Sequence, residues 1–291
     1  MAQDSTISWT HHTFNPWLGC AKVTDACKFC YAEKFVERYG LAQWGVHGTR
    51  HITSAENWKK PVRWQKQAAK EGIRYRVFCA SLADVFEDRP ELIEPRERLW
   101  KLIEATPNLD WLILTKRPEN LHRLYPERWL SSPAAFPRNI WQGVTMANQK
   151  DYDTFMPPLR KFCSEHFVNV MWISAEPLLG RITFDKDILN PVGFNKEAQS
   201  VYQKPLDWII IGGESGPTTK IRKLDLYHVK HIFDQFSYSR KLCIGPAIFF
   251  KQVGAILAKV YKLHDAKGEN MEELPTALSA FMVREFPNNL F

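Results

Sequence analysis

The sequence predicts an α/β fold: a (β/α) barrel, or a partial TIM-like barrel, of at least six parallel strands. Three observations predict it. Short, almost wholly apolar runs recur along the chain, as in strands buried on both faces of a parallel sheet. Helical segments lie between them, and the runs end in polar or glycine-rich turns. The chain has 291 residues, 45% hydrophobic and 24% charged, which suits one barrel with a large core.

The elements follow in order. Residues 76–80 precede Ser81 and Asp84, residues 111–114 precede Thr115, Lys116 and Arg117, and residues 140–144 precede Thr145. Residues 170–174 lead to Glu176 and Pro177. Residues 208–211 lead to Gly212, Gly213, Glu214, Ser215 and Gly216, and residues 247–250 to Lys251 and Gln252. Helices are predicted over 90–105 and 224–236, with Pro90 and Pro95 suited to a first turn or its approach. Residues 185–204, with Pro191 and Gly193, read as a surface excursion. The whole divides into a barrel domain over 1–255, carrying an N-terminal three-cysteine loop, and a C-terminal appendage over 256–291.

Net charge is +7, and most of it is local. Residues 50–76 hold eight basic residues against Glu56 and Glu71, with Trp58, Trp64 and Tyr75 interleaved. A basic, aromatic segment suits nucleic acid; a solvated helix face is the plainer reading. Eleven tryptophans offer packing and, for some, flat surfaces for bases. Met1 to Thr10 is polar and no apolar run approaches a membrane span, so no leader and no membrane contact are expected. A reducing cytoplasm follows, where clustered cysteines bind metal more often than they pair. Cys79, Cys163 and Cys243 stand alone in apolar surroundings and read as core thiols.

Cys20, Cys27 and Cys30 lie in the run GCAKVTDACKFCYAE, spaced C-x6-C-x-F-C. Thiolates select zinc, copper(I) or iron–sulfur clusters, and three protein ligands leave one corner open. Zinc is the main rival to a cluster, with His11 or His12 as a fourth ligand. Pro16, Trp17 and Gly19 make a tight apolar approach, and Tyr31-Ala32-Glu33 opens a helix whose amides would face the site. At the strand ends, Gly212 and Gly213 allow close approach to a ligand, and Glu214 and Ser215 offer polar atoms beside them. Arg117 suits a carboxylate or phosphate, and Lys116 adds a second cation. Lys251 is a substrate contact or an ion-pair partner of Glu176 or Glu214; Glu176 suits a ligand or substrate contact.

With its aromatic residue before the last cysteine, the loop resembles that of radical S-adenosylmethionine (SAM) enzymes, usually C-x3-C-x-aromatic-C. Still closer is the resemblance to a phage-associated three-Cys-motif family, also seen in bacteria and of uncharacterised activity. The segments SWTHHTFNPWLGC, CKFCYAE, SLADVF, LTKRP, SAEPLLG, IGGESGP and FFKQVG carry it over nearly the whole chain. The resemblance implies a [4Fe–4S] cluster on Cys20, Cys27 and Cys30, with SAM on the fourth iron. One-electron cleavage of SAM to a 5′-deoxyadenosyl radical would follow, and hydrogen abstraction from a substrate, here a nucleic acid or nucleotide. It implies an electron donor and a separate partner protein. Ser81, Asp84, Thr115, Lys116, Arg117 and the 212–215 turn are the expected SAM contacts, Asp84 for its amino group. Lys251 and Glu176 are the expected catalytic pair. A zinc-stabilised nucleic-acid-binding protein and a magnesium hydrolase working from Asp84, Glu176 and Glu214 are the rival readings.

Overall fold

In the computed structural model, residues 5–189 and 205–287 are described. The chain divides into two units, Met1–Val144 with Glu165–Asn169, and Thr145–Ser164 with Val170–Phe291. The first unit holds β1 (His12–Thr13), a ribbon of β2 (Trp17–Leu18) and β3 (His51–Ile52), then β4 (Tyr75–Cys79), β5 (Leu109–Thr115) and β6 (Ile140–Thr145). Strands β1, β4, β5 and β6 run parallel in that order, while β2 and β3 pair antiparallel. The second unit holds β7 (Val170–Ala175), β8 (Trp208–Gly212) and β9 (Ala247–Gln252), again parallel and in order. This is the α/β fold expected, with seven parallel strands among the described residues where at least six were predicted.

The strands run further than their apolar cores. Thr115 pairs with Val144 and Gly212 with Gln252, so Thr115 and Gly212 belong to the last pairs of their ladders, while Lys251 lies in β9 at the register shift between Ile211 and Gly212. Backbone pairing continues past the point where side-chain hydrophobicity stops, which is why the sequence pattern ends five of the six predicted strands early; the run 76–80 instead ends one residue beyond β4. The two-residue β1 is too short to show any periodicity.

Three helices matter to the site in the first unit. Tyr31–Arg38 (α1) follows the cysteine loop. Ala55–Glu71 (α2) is capped by Ser54 and ends at Gly72, whose φ of 67° is the left-handed conformation of a helix stop. Ile93–Glu104 (α3) follows a 3-10 turn, Pro90–Leu92, so the segment predicted as one helix is two pieces. In the second unit, the helix expected at 224–236 spans Leu226–Gln235 and is capped by Asp225. The excursion predicted at 185–204 is described only to Leu189, with a short helix Lys186–Leu189; the remainder lies outside the described residues.

The basic segment behaves as an amphipathic helix. Trp58, Trp64, Ala68 and Pro61 are buried, while Lys59, Arg63, Lys66 and Lys70 are exposed. The interleaved aromatics are therefore core and not base-stacking surfaces. Phe14 stands edge-on to Trp58 and Trp111, at 5.3 and 5.7 Å, and His12 stacks flat on Trp64 at 4.3 Å. Ten of the eleven tryptophans are buried, so the expectation of flat aromatic surfaces gives way to packing. Cys79 and Cys163 are core thiols as expected, but Cys243 is exposed, just beyond the helix Ser237–Lys241.

The C-terminal stretch lies along the edge of β9. Phe250 donates to the Val283 carbonyl at 2.8 Å and Glu285 to that of Ile248 at 2.9 Å. Phe286 packs on Trp208 and Phe249. Covering a sheet edge removes unpaired backbone groups from solvent.

His11 closes the start of β4 by accepting the Arg76 amide on Nδ1 at 2.8 Å. Burial, then the positive charges of Arg76 and His12, lower its pKa from 6.5 to about 4. Between those values the unfolded chain binds more protons. This contribution to stability is therefore full above pH 6.5 and falls as the pH drops toward 4. His11→Asn keeps an acceptor and loses the titration. Urea unfolding at about pH 7 and about pH 4.5 should show the wild type losing ~1–2 kcal/mol more than the variant.

Candidate functional site

The cysteine loop begins where the chain leaves β2. Gly19 has φ +104°, and a Cβ there would stand 2.8 Å from the Thr49 carbonyl, so only glycine fits. Its amide donates to the Leu82 carbonyl at 3.0 Å, which ties the loop to the turn after β4. Cys27 ends a 3-10 turn, Asp25–Cys27, capped by the Thr24 hydroxyl. Cys30 is the residue before α1, so it sits at that helix's N-terminal amides. Leu18, Ala32, Val36 and Leu82 form a buried cluster with Cys30, Leu41, Ala42 and Trp44 packed against it. One flank of the loop is thus apolar. Lys28 and Lys34 place their ammonium groups 5.4 and 6.0 Å from the Phe29 ring.

Arg117 joins this loop to the strand ends. Its Nη1 lies 3.7 Å from Cys20 Sγ and 2.8 Å from Asp84 Oδ2, and its Nη2 donates to the Ala21 carbonyl at 2.9 Å. Asp84 is fully engaged. Its Oδ1 accepts from the Thr115 hydroxyl at 2.7 Å and the Phe86 amide at 2.9 Å, and its Oδ2 also accepts from the Lys116 amide at 3.1 Å. Asp84, Thr115, Lys116 and Arg117, all expected as SAM contacts, are therefore one network with Cys20. Asp84 acts there as organiser of the cations. Burial, then the Asp84 carboxylate, push the Cys20 thiol up to about 12 against the pull of Arg117. Metal binding at Cys20 must therefore release a proton.

Behind this network lie residues the sequence did not reveal. Glu87 makes a two-pronged pair with Arg50, both contacts at 2.6 Å. Arg50 also donates to the carbonyls of Gly45, Gly48 and Thr49, and its side chain is 0% exposed. The basic segment 50–76 predicts a solvated charge here, and Arg50 is instead a buried strut of the cysteine loop. Arg74 likewise pairs with Asp110. Asn15, 1% exposed, accepts the Leu82 amide at 2.7 Å and donates to Ser81 Oγ at 3.0 Å. The Tyr31 hydroxyl donates to the Ser81 carbonyl at 2.8 Å. The signal for Asn15 was its place in the F-N-P-W-L-G-C run.

The histidines weighed as a fourth ligand are engaged at the opposite end of the strands. His11 caps the start of β4 and His12 stacks on Trp64. Among the described residues, one set of three potential ligands has its atoms within 4.8 Å of one another, and it is not the cysteines. At least two of the three sulfurs therefore stand more than 4.8 Å apart in this structure.

The second unit carries its own constellation. Lys251 Nζ lies 2.6 Å from Glu176 Oε1, both side chains less than one-fifth exposed. Gln252 Nε2 donates to the Gly213 carbonyl and to Ser215 Oγ, each at 2.7 Å. Glu214 receives the Arg222 amide at 2.6 Å and the Arg222 guanidinium on both carboxylate oxygens. A Cβ on Gly213 would meet the Val253 carbonyl at 2.5 Å, and one on Gly212 the Glu176 side chain at 3.2 Å. Gly213 is thus required by the backbone beside it, and Gly212 sits tight against the Glu176 side chain. Glu176, Glu214 and Asp84 each face a cation of their own unit.

A family pattern described as "Protein of unknown function (DUF5131)" matches residues 4–276. The chain belongs to this family. The match runs from ahead of the cysteine loop to beyond Lys251, so it takes in both constellations. No curated protein and no solved structure matches the chain.

Removing Arg50 would leave the Glu87 carboxylate, 7% exposed, buried without its partner. Arg50→Ala should lower unfolding free energy by about 3–5 kcal/mol, read from urea titration. An unchanged midpoint would show the pair to be ornamental.

Proposed function

We propose that this protein is a radical SAM-type [4Fe–4S] enzyme of a phage-associated three-Cys-motif family, acting on a nucleic acid or nucleotide. The observation that carries the reading is the joining of the cysteine loop to the ends of β4 and β5. Cys20 meets Arg117, and Arg117 meets Asp84, at the strand ends where α/β folds collect their chemistry. In this reading Cys20, Cys27 and Cys30 hold the cluster. The donor set supports it: three soft thiols, a guanidinium beside one sulfur, helix amides beside another and an apolar flank. When bound, cluster and SAM together supply one-electron reductive cleavage of the sulfonium and the hydrogen abstraction that follows.

The chain's own groups divide the remaining work. The Arg117 cation offsets the negative charge that builds on Cys20 when its proton leaves. Lys116 makes no side-chain ion pair among the described residues, which suits it to the carboxylate of SAM. The Ser81 hydroxyl, oriented by Asn15, suits the adjacent amino or ribose group. Asp84 organises these groups and does not itself take the ligand, because its carboxylate already has four donors. In the second unit, Lys251 and Glu176 are the proposed substrate-contacting pair. Gly212, Gly213, Glu214 and Ser215 build the turn beside them.

The exposed cations of α2 (Lys59, Arg63, Lys66 and Lys70) suit a phosphate backbone. An electron donor and a separate partner protein belong to the same proposal, as does a reducing cytoplasm. No described helix is long and apolar enough to cross a membrane.

Anaerobic purification, reconstitution with iron and sulfide, and EPR of the dithionite-reduced protein with and without SAM test the proposal. The expected result is a brown protein with about four irons per chain and a reduced signal that SAM alters. Cys20→Ser, Cys27→Ser and Cys30→Ser should each abolish that response. A colourless protein whose cysteines hold one zinc, with no effect of SAM, overturns it.

A further inference from the structure

Away from both constellations, His122, Glu165 and His166 each bring one ligand atom within 4.8 Å of the other two. All three belong to the first unit. His122 lies in the short helix Leu121–Leu124. Glu165 ends the helix Gln149–Glu165, and His166 follows it. His122 Nε2 stands 2.7 Å from Glu165 Oε2, and the two imidazole rings meet edge-on at 5.5 Å. His166 is 8% exposed, with the Phe136 ring 6.3 Å away, whereas the His122 and Glu165 side chains are 44% and 42% exposed.

We propose that these three side chains form a binding site for a divalent transition ion of the zinc class, distinct from the three cysteines. The donor types select the ion. Two imidazole nitrogens and one carboxylate oxygen are borderline ligands; magnesium and calcium prefer all-oxygen sets, and copper(I) prefers sulfur. The spacing is close to what such an ion needs. Ligands at about 2.0–2.1 Å from a tetrahedral centre lie about 3.4 Å apart, so small torsions of the exposed His122 and Glu165 close the set around a fixed His166. The existing His122–Glu165 contact already brings two of the three together. With three protein ligands and two of them at the surface, the fourth position faces solvent and would take water or an anionic ligand atom. The ion would cross-link two segments 43 residues apart in sequence.

The test uses the full-length chain stripped of metal with a chelator and titrated with Zn²⁺ against a chromophoric competitor. It is run on the Cys20→Ser/Cys27→Ser/Cys30→Ser chain and on that chain with His122→Ala or Glu165→Gln, both at exposed positions. The expected result is one zinc equivalent that survives loss of the cysteines and weakens about tenfold or more in each added variant. Zinc should also raise the melting temperature of the parent more than that of the variants. Zinc uptake unchanged by both substitutions, or abolished by the cysteine changes in a folded chain, overturns the proposal. If the triple substitution does not fold, Co²⁺ titration of the unsubstituted chain decides. A cobalt equivalent without a sulfur-to-metal absorption band, lost in His122→Ala, supports the site, and its absence overturns it.

Discussion

The buried ion pair between Asp84 and Arg117 is the constraint on which the first unit's site depends. Asp84 lies in the turn after β4, Arg117 just past β5, and the guanidinium reaches Cys20 and Ala21 in the cysteine loop. Three segments far apart in sequence are thereby held by one pair of side chains. A pair of this kind adds little net stability over an apolar substitute, but losing one partner strands a charge in a poorly solvated place. Its effect is positional. The Thr115 hydroxyl and the amides of Phe86 and Lys116 fix the carboxylate, and the carboxylate fixes the cation against the sulfur.

The same device recurs with different residues. Arg50 with Glu87 braces the far side of the loop, Arg222 with Glu214 closes the turn after β8, and Lys251 meets Glu176 between the ends of β9 and β7. Each strand-end carboxylate is thus neutralised locally before any ligand arrives. These pairs hold charged groups in fixed positions at the strand ends.

Much of this was legible in the chain. The apolar runs mark six of the seven parallel strands, because a strand buried on both faces must be apolar throughout. The residues following those runs include Ser81, Asp84, Thr115, Lys116, Arg117, Glu176 and Lys251. Arg50 and Asn15 were not legible as parts of the site. Arg50 sits in a basic stretch and carries no local mark of being buried, since its partner Glu87 is 37 residues away. Trp58 and Trp64 read equally well as stacking surface or core, and only the packing of α2 against Phe14 and His12 makes them core. His122, Glu165 and His166 form no recognisable spacing, because their proximity comes from the fold.

By itself the sequence determined the α/β class, the parallel strands and the grouping of three soft ligands ahead of a helix. These follow from local composition and period, which each segment carries regardless of its neighbours. Only the tertiary structure decided which charges are partners, which aromatics are core and which histidines are in reach of one another. Ion pairing and burial are properties of distances between residues remote in sequence, and the fold alone sets those distances.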